Sequence, residues 1–331
     1  MIRIAINGFG RIGRNIVRAL YLSGYRDLVQ VVAINDLGDA NTCAHLLEYD
    51  SVHGHFNASI SVQADKLHIN NDSIQLLSEP DPSKLPWAQL KVDVVMECSG
   101  RMTSGHKADA HLHAGAKKVL LSAPSDDAQA TIVYGVNEHV LEGSHTIISN
   151  ASCTTNCLAP MAKVLHEEFG IEDGNMTTIH AYTNDQHLLD LAHSDLYRAR
   201  AAGLSMIPTK TGAAKAIGKV LPGLDGKIHG MAVRVPTANV SLVDLVLHVN
   251  QPTTREEVNA VMQKATEKMN VLAYNDKALV SVDFNGHNAS CIFDANHTMA
   301  SGQLVHVMAW YDNEWGFCHR MLDTALAMMS A

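Results

Sequence analysis

The first 36 residues restrict the fold more than any other stretch of this 331-residue chain. Ile2 to Ile6 reads as a short buried strand. It ends in Asn7-Gly8-Phe9-Gly10-Arg11-Ile12-Gly13, a G-x-G-x-x-G opening an amphipathic helix with apolar positions at Ile12, Ile16, Val17 and Leu20. A second strand, Leu28 to Ile34, ends in Asn35-Asp36, 23 positions after Gly13. Glycines at 8, 10 and 13 permit a tight turn and let a pyrophosphate approach the helix N-terminus, while a carboxylate closing the second strand accepts hydrogen bonds from ribose hydroxyls. Asp36 would repel a 2′-phosphate, so the expected cofactor is NAD rather than NADP.

Further strands are expected at Val92 to Glu97, Lys118 to Ser122, Thr131 to Val136 and Thr146 to Ser149, with a helix around Ser104 to Ala114. This alternation predicts an α/β chain whose first domain is a doubly wound parallel sheet, with ligands beyond the carboxyl ends of the strands. Ser99-Gly100 and Ser122-Ala123-Pro124 fall at such ends, where residues either contact a ligand or simply turn the chain.

Chemistry concentrates at Ser149-Asn150-Ala151-Ser152-Cys153-Thr154-Thr155-Asn156-Cys157. The β-branched run before it reads as a strand. Leu158, Met161, Val164, Leu165 and Phe169 follow at helical spacing, so Cys153 is expected at a helix N-terminus, where orphan N–H groups and the helix dipole favour thiolate over thiol. Ser152 and Thr154 would help form an anion or oxyanion site beside the sulfur.

Beyond Cys153 the pattern changes. Asn175 to Thr183 is expected as a strand carrying His180, followed by a long loop to about Met206, a helix from Thr211, a β-rich stretch Ile228 to Asn250 with Arg234, and a helix Thr253 to Asn270. Strands at Leu279 to Phe284, Ser290 to Asp294 and Val305 to Tyr311 complete a mostly antiparallel sheet, and Trp315 to Ser330 forms a last helix. The expected organisation is an NAD-binding domain, 1–151 with the terminal helix 317–331, and an α+β catalytic domain, 152–316, with Cys153 at the seam.

Lys+Arg 25 against Asp+Glu 34 leaves a net charge of −9 and the chain has no basic run, which excludes a dedicated nucleic-acid binder. No apolar run approaches membrane-span length and no signal-peptide layout is seen, so a cytoplasmic protein is expected. The six cysteines make no CxxC pair, which argues against a disulfide framework or zinc ribbon. The pairs His53/His55 and His111/His113 lack further ligands at metal spacing and read as surface histidines rather than a metal site.

Six segments together, Ile6 to Arg14, Ser149 to Cys157, His180 to Gln186, Pro208 to Lys215, Arg234 to Ser241 and Trp310 to Gly316, resemble the phosphorylating glyceraldehyde-3-phosphate dehydrogenases along the whole chain. The resemblance implies oxidation of an aldehyde by NAD with inorganic phosphate, through a hemithioacetal and a thioester on Cys153, with His180 as general acid/base. It implies Thr183 and Arg234 for the substrate phosphate, and Ser152, Thr154, Thr211 and Gly212 for the attacking phosphate. Gly8, Gly10, Arg11, Ile12, Gly13, Asp36, Ser122 and Asn313 would bind the cofactor. The chain departs from that pattern at Pro80, where many relatives carry a basic residue, and at Leu191-Ala192, where NAD-preferring members usually have Leu-Pro.

An erythrose-4-phosphate dehydrogenase is the nearest alternative. That family lacks the Tyr-Thr after the histidine and the Thr-Gly of the anion loop, and it carries His-Pro-Gly where this chain has Ala123-Pro124-Ser125. A non-catalytic binding protein of the same fold is a second alternative, against which the presence of Cys153, His180 and Arg234 argues. The segment Asp185 to Met206 holds Leu188, Leu189, Leu191, Leu196 and Met206, too many apolar side chains for a solvated loop, and the resemblance implies that it packs across an interface of a homotetramer.

Overall fold

The computed structural model describes residues 1–331 and divides into two compact units. The first comprises Met1–Ile132, Glu138–Ala151 and Cys318–Ala331; the second comprises Val133–Asn137 and Ser152–Phe317.

In the first unit a nine-stranded sheet runs, in spatial order, Ala130–Thr131, Ile147–Ser149, Lys118–Leu121, Val94–Glu97, Ile2–Asn7, Val29–Asn35, Asp72–Leu77, Lys66–Ile69, Ile60–Gln63. The seven strands from Ala130–Thr131 to Asp72–Leu77 are parallel, and the last three form an antiparallel meander. Strands buried on both faces need uninterrupted apolar side chains, which Ile4, Ala5 and Ile6 and then Val94, Val95 and Met96 supply. Burying each such Val, Ile or Met contributes about 1.5–3 kcal/mol. Glu97, equally buried at the end of its strand, breaks this rule. The meander was not anticipated: its exposed residues alternate with the buried Leu67, Ile69 and Ile74, and short runs of that kind carry little periodicity.

In the second unit a sheet runs Ile207–Lys210, Ile228–Val235, Ile171–Ala181, Ser241–Val249, Leu304–Tyr311, Cys291–Asp294, Leu272–Asn275, with Met299–Ser301 also paired to Leu304–Tyr311. Most pairings are antiparallel; Ile171–Ala181 with Ile228–Val235 and Leu272–Asn275 with Cys291–Asp294 are parallel. The helix Cys153–Phe169 packs against this sheet and buries Cys157, Leu158, Met161 and Leu165.

Two expected strands are corrected. Leu279 to Phe284 contains a 3₁₀ helix, Ser281–Phe284: the Asp283 carboxylate accepts from Val280 N at 2.9 Å and closes the turn, leaving Val280 and Val282 exposed. Of Thr131 to Val136 only Thr131 is in a strand. Val133 N donates to Asn137 Oδ1 at 2.8 Å, and Asn137 N returns to Val133 O at 3.2 Å. No helix is long and apolar enough to cross a membrane.

Candidate active site

Cys153 is the first residue of the helix Cys153–Phe169, and Ser152 is its N-cap, accepting from Thr155 N at 3.1 Å. The chain enters this helix through Ala151, whose φ of 57° is left-handed, and such a conformation in a non-glycine residue costs on the order of 1 kcal/mol. A second residue of this kind, Val240 at φ 67°, is β-branched, a class for which the left-handed region is least favoured, and it precedes Ser241. Ser241 Oγ accepts from Ala181 N at 3.0 Å and donates to Asn313 Oδ1 at 2.8 Å, which ties Asn313 to the strand bearing His180.

Register then assembles the site. His180 pairs with Arg234 across the parallel strands, and Arg234 pairs with Ile207 on the next strand, which leads into Thr211 and Gly212. Cys153 Sγ lies 3.5 Å from His180 Nε2. On the other side of the ring, Nδ1 is 2.6 Å from Ala181 O and 3.0 Å from Arg234 Nη1. A carbonyl only accepts, so Nδ1 carries the hydrogen and donates it to Ala181 O; Arg234 Nη1 donates instead to Ala181 O at 3.1 Å and Thr183 Oγ1 at 3.3 Å. Nε2 is thereby left as a lone-pair acceptor facing the sulfur.

The electrostatics correct the expectation of a resting thiolate. Burial pushes the Cys153 thiol above its ordinary value, outweighing the pull of Arg234, the Thr154 hydroxyl and the helix N–H groups. Burial and the Arg234 charge also lower His180 to about 3. The ground state is therefore a neutral thiol beside a neutral imidazole, a nucleophile with a general base in reach rather than a preformed ion pair.

Tyr311 was missed by sequence reading, although its motif was noted. Its buried hydroxyl is 2.8 Å from both Thr154 Oγ1 and Thr178 Oγ1, and its ring meets His180 edge-on at 6.0 Å, so one side chain steadies both the helix start and the imidazole. Only the position of Tyr311 opposite Ser241 in the sheet reveals this. The Ser152 hydroxyl accepts from Thr155 N and bonds Thr155 Oγ1, and the Thr154 hydroxyl bonds Tyr311, so both are held in place at the helix start beside its free N–H groups. Thr211 Oγ1 accepts from Ala213 N at 3.2 Å, and Gly212 caps the helix Ala213–Val220 without a side-chain bond. Arg234 Nε is buried with no acceptor, a donor suited to an anion. Arg198, on the loop after His180, donates to Thr209 Oγ1 at 3.0 Å and Lys210 O at 3.0 Å and is ion-paired with Asp185 and Asp195, so its charge is already matched.

The first unit holds a cleft of about 290 Å³ at the carboxyl ends of the strands Ile2–Asn7 and Val29–Asn35, lined among others by Gly8, Gly10, Asp36, Glu79 and Ser99. Gly8 has φ +94°, and a Cβ there would stand 2.5 Å from Ser99 N; a Cβ at Gly13 would stand 2.3 Å from Gly8 O. Gly10 faces open space and starts its helix with no side-chain cap and no acid in the first turn, leaving N–H groups suited to a pyrophosphate. Asp36 Oδ2 accepts from Phe9 N at 2.6 Å and Oδ1 from Gly38 N at 2.8 Å, so the carboxylate also shapes the glycine turn. Arg11, Ile12, Gly13 and Ser122 are not part of the cleft wall, and the Arg11 guanidinium is paired with Asp50. His111, expected at the surface, is fully buried between Trp87 and Glu97. His113, two residues on, is exposed.

Residues 2–105 match the family model described as glyceraldehyde 3-phosphate dehydrogenase, NAD binding domain, and residues 152–313 match the one described as glyceraldehyde 3-phosphate dehydrogenase, C-terminal domain. Glyceraldehyde-3-phosphate dehydrogenase of Pseudomonas aeruginosa is 62% identical over 330 residues, covering 100% of this chain and 99% of the relative. The chromosomal enzyme of that name from Cupriavidus necator is 59% identical over 333 residues (100% and 99%), and that of Geobacillus stearothermophilus 54% over 333 residues (99% and 98%).

Proposed function

The chain belongs to the glyceraldehyde-3-phosphate dehydrogenase family, and on that footing we propose that it is the NAD-dependent enzyme that converts glyceraldehyde 3-phosphate and inorganic phosphate to 1,3-bisphosphoglycerate in glycolysis. The observation that carries this reading is the thiol of Cys153 held 3.5 Å from the unprotonated Nε2 of His180, with the Arg234 guanidinium on the far side of the ring.

His180 Nε2 takes the Cys153 proton as the sulfur attacks the aldehyde carbon, then returns it to the new oxyanion to give the hemithioacetal. The nicotinamide, when bound, supplies the acceptor for the hydride lost from that carbon. Nε2 takes the hydroxyl proton in the same step and a thioester is left on Cys153. Phosphate adds to the thioester carbonyl, and collapse expels the Cys153 sulfur, which the imidazolium stabilises. Throughout, the Nδ1–H bond to Ala181 O keeps the ring oriented. Thr183 and Arg234 would hold the substrate phosphate, and the N-termini at Ser152–Thr154 and Thr211–Gly212 the attacking one. Gly8, Gly10, Asp36 and the first-turn N–H groups of Arg11 and Ile12 would hold the adenosine diphosphate half of NAD, and Asn313 the carboxamide.

We further propose a cytoplasmic homotetramer. Leu188, Leu189, Leu191, Leu196, Leu204 and Met206 are all exposed on one loop, more apolar surface than a lone subunit leaves in water. The deciding experiment is NADH formation from glyceraldehyde 3-phosphate, which should require phosphate and should exceed that from erythrose 4-phosphate; activity with the tetrose alone would overturn the substrate assignment.

A further inference from the structure

Glu97 is a buried carboxylate that the chemistry above does not use, and all four of its bonds point at the cofactor cleft or brace it. Oε1 accepts from Ser99 N at 2.8 Å and from Ser99 Oγ; Oε2 accepts from Asn7 Nδ2 at 2.6 Å and from His111 Nε2 at 3.0 Å. Trp87 Nε1 donates to His111 Nδ1 at 3.0 Å. An indole N–H can only donate, so Nδ1 is the bare nitrogen and Nε2–H is directed at Glu97. The line of bonds continues outward. Asn35 Nδ2 donates to Asn7 Oδ1 at 2.7 Å and to Glu79 O at 3.0 Å, and Glu79 N donates to Asn35 Oδ1 at 2.9 Å.

Asn7, Asn35, Glu79 and Ser99, the residues this line reaches, all line the cleft. The glycine turn rests directly on one of them, since Gly8 leaves no room for a Cβ against Ser99 N and Cα. Where Ser99 stands therefore sets where the turn can stand. Each carboxylate oxygen meets two donors, which suits a group that only accepts; an amide would set its NH₂ against Asn7 Nδ2 and His111 Nε2–H in one orientation and against Ser99 N–H in the other. Burying an anion costs several kcal/mol, and a neutral side chain would avoid that cost if packing alone were needed.

We propose that Glu97, oriented by His111 and Trp87, is a positioning residue for NAD: it locks Ser99 and Asn7 so that the glycine turn and the wall of the cleft are shaped for the dinucleotide before it arrives. This rests on the cleft being the NAD site. The test uses the full-length protein, titrated with NAD to give Kd and assayed to give KM for NAD and kcat. Glu97→Gln should raise Kd and KM by about tenfold or more, with kcat at saturating NAD altered less than about twofold. His111→Gln, which keeps the carboxylate but removes its orienting ring, should raise them about threefold or more. His113→Ala, exposed on the same helix, should move neither. An unchanged Kd in Glu97→Gln, or kcat falling in step with thermal stability at constant Kd, would overturn the proposal. If Glu97→Gln does not accumulate as folded protein, an unchanged Kd in His111→Gln overturns it equally. Wild-type protein that failed to bind NAD would instead overturn the cofactor assignment.

Discussion

Cys153 Sγ and His180 Nε2 stand 3.5 Å apart with the proton on sulfur, because burial raises the thiol while burial and Arg234 lower the imidazole. Iodoacetamide should still label Cys153 first and abolish activity, since His180 Nε2 is in reach of its proton and Arg234 pulls its thiol down, whereas Cys43, Cys157, Cys291 and Cys318 are buried and the Glu97 charge pushes Cys98 up on top of burial. The rate should climb with pH above neutrality as the raised thiol ionises, which a pH series of the inactivation rate measures. A rate already flat at neutral pH would show a preformed thiolate.

His180→Asn should lower kcat by about 10²- to 10⁴-fold, the usual contribution of a positioned acid/base. It should also change the acid limb of stability. The unfolded imidazole binds its proton near its ordinary value and the folded one only at about 3, so between about pH 6.5 and 3 the unfolded state holds the extra proton. Stability is full above that window and is lost as pH falls through it, at up to about 1.4 kcal/mol per pH unit. Melting temperatures from pH 7 to 4 should fall more steeply for the wild type than for His180→Asn.

Arg234 Nη1 is spent on Ala181 O and Thr183 Oγ1, while Nε has no acceptor, so the guanidinium is fixed with a donor to spare. Arg234→Lys keeps the charge and loses the planar fork. KM for glyceraldehyde 3-phosphate should rise about 10- to 100-fold, the equivalent of one or two charge-assisted hydrogen bonds. A variant with unaltered KM would remove Arg234 from the substrate-phosphate site.

Asp36→Ala removes the charge that would repel a 2′-phosphate and also strips the acceptor from Phe9 N and Gly38 N. The preference for NAD over NADP, as a ratio of kcat/KM, should narrow, mainly because NAD binds worse. Wild-type enzyme with equal kcat/KM for the two would mean that Asp36 does not discriminate.

Leu196, 81% exposed, sits on the apolar loop proposed to cover an interface. Leu196→Glu should dissociate the assembly and weaken NAD binding together, read by sedimentation at micromolar concentration and by NAD titration. Monomeric wild-type protein with full activity would refute the tetramer.

The sequence alone determined whatever depends on local period and local backbone chemistry. The G-x-G-x-x-G between two strands, Asp36 at the second strand's end, Cys153 at a helix start and His180 near the end of its strand were all legible, because turns, caps and apolar spacing act within a few residues. Tertiary structure decided what those groups experience. Whether Cys153 rests as a thiolate depends on how much water is removed around it and on Arg234, some eighty positions away; the helix-start argument counted only the favourable local dipole. His111 looked like its surface neighbour His113, and only the approach of Trp87 and Glu97, 24 and 14 positions distant, buried it and fixed its tautomer. Tyr311 steadies Thr154 from 157 positions off. Desolvation and hydrogen-bond partnership are set by which distant side chains arrive, and a one-dimensional pattern holds no record of their arrival.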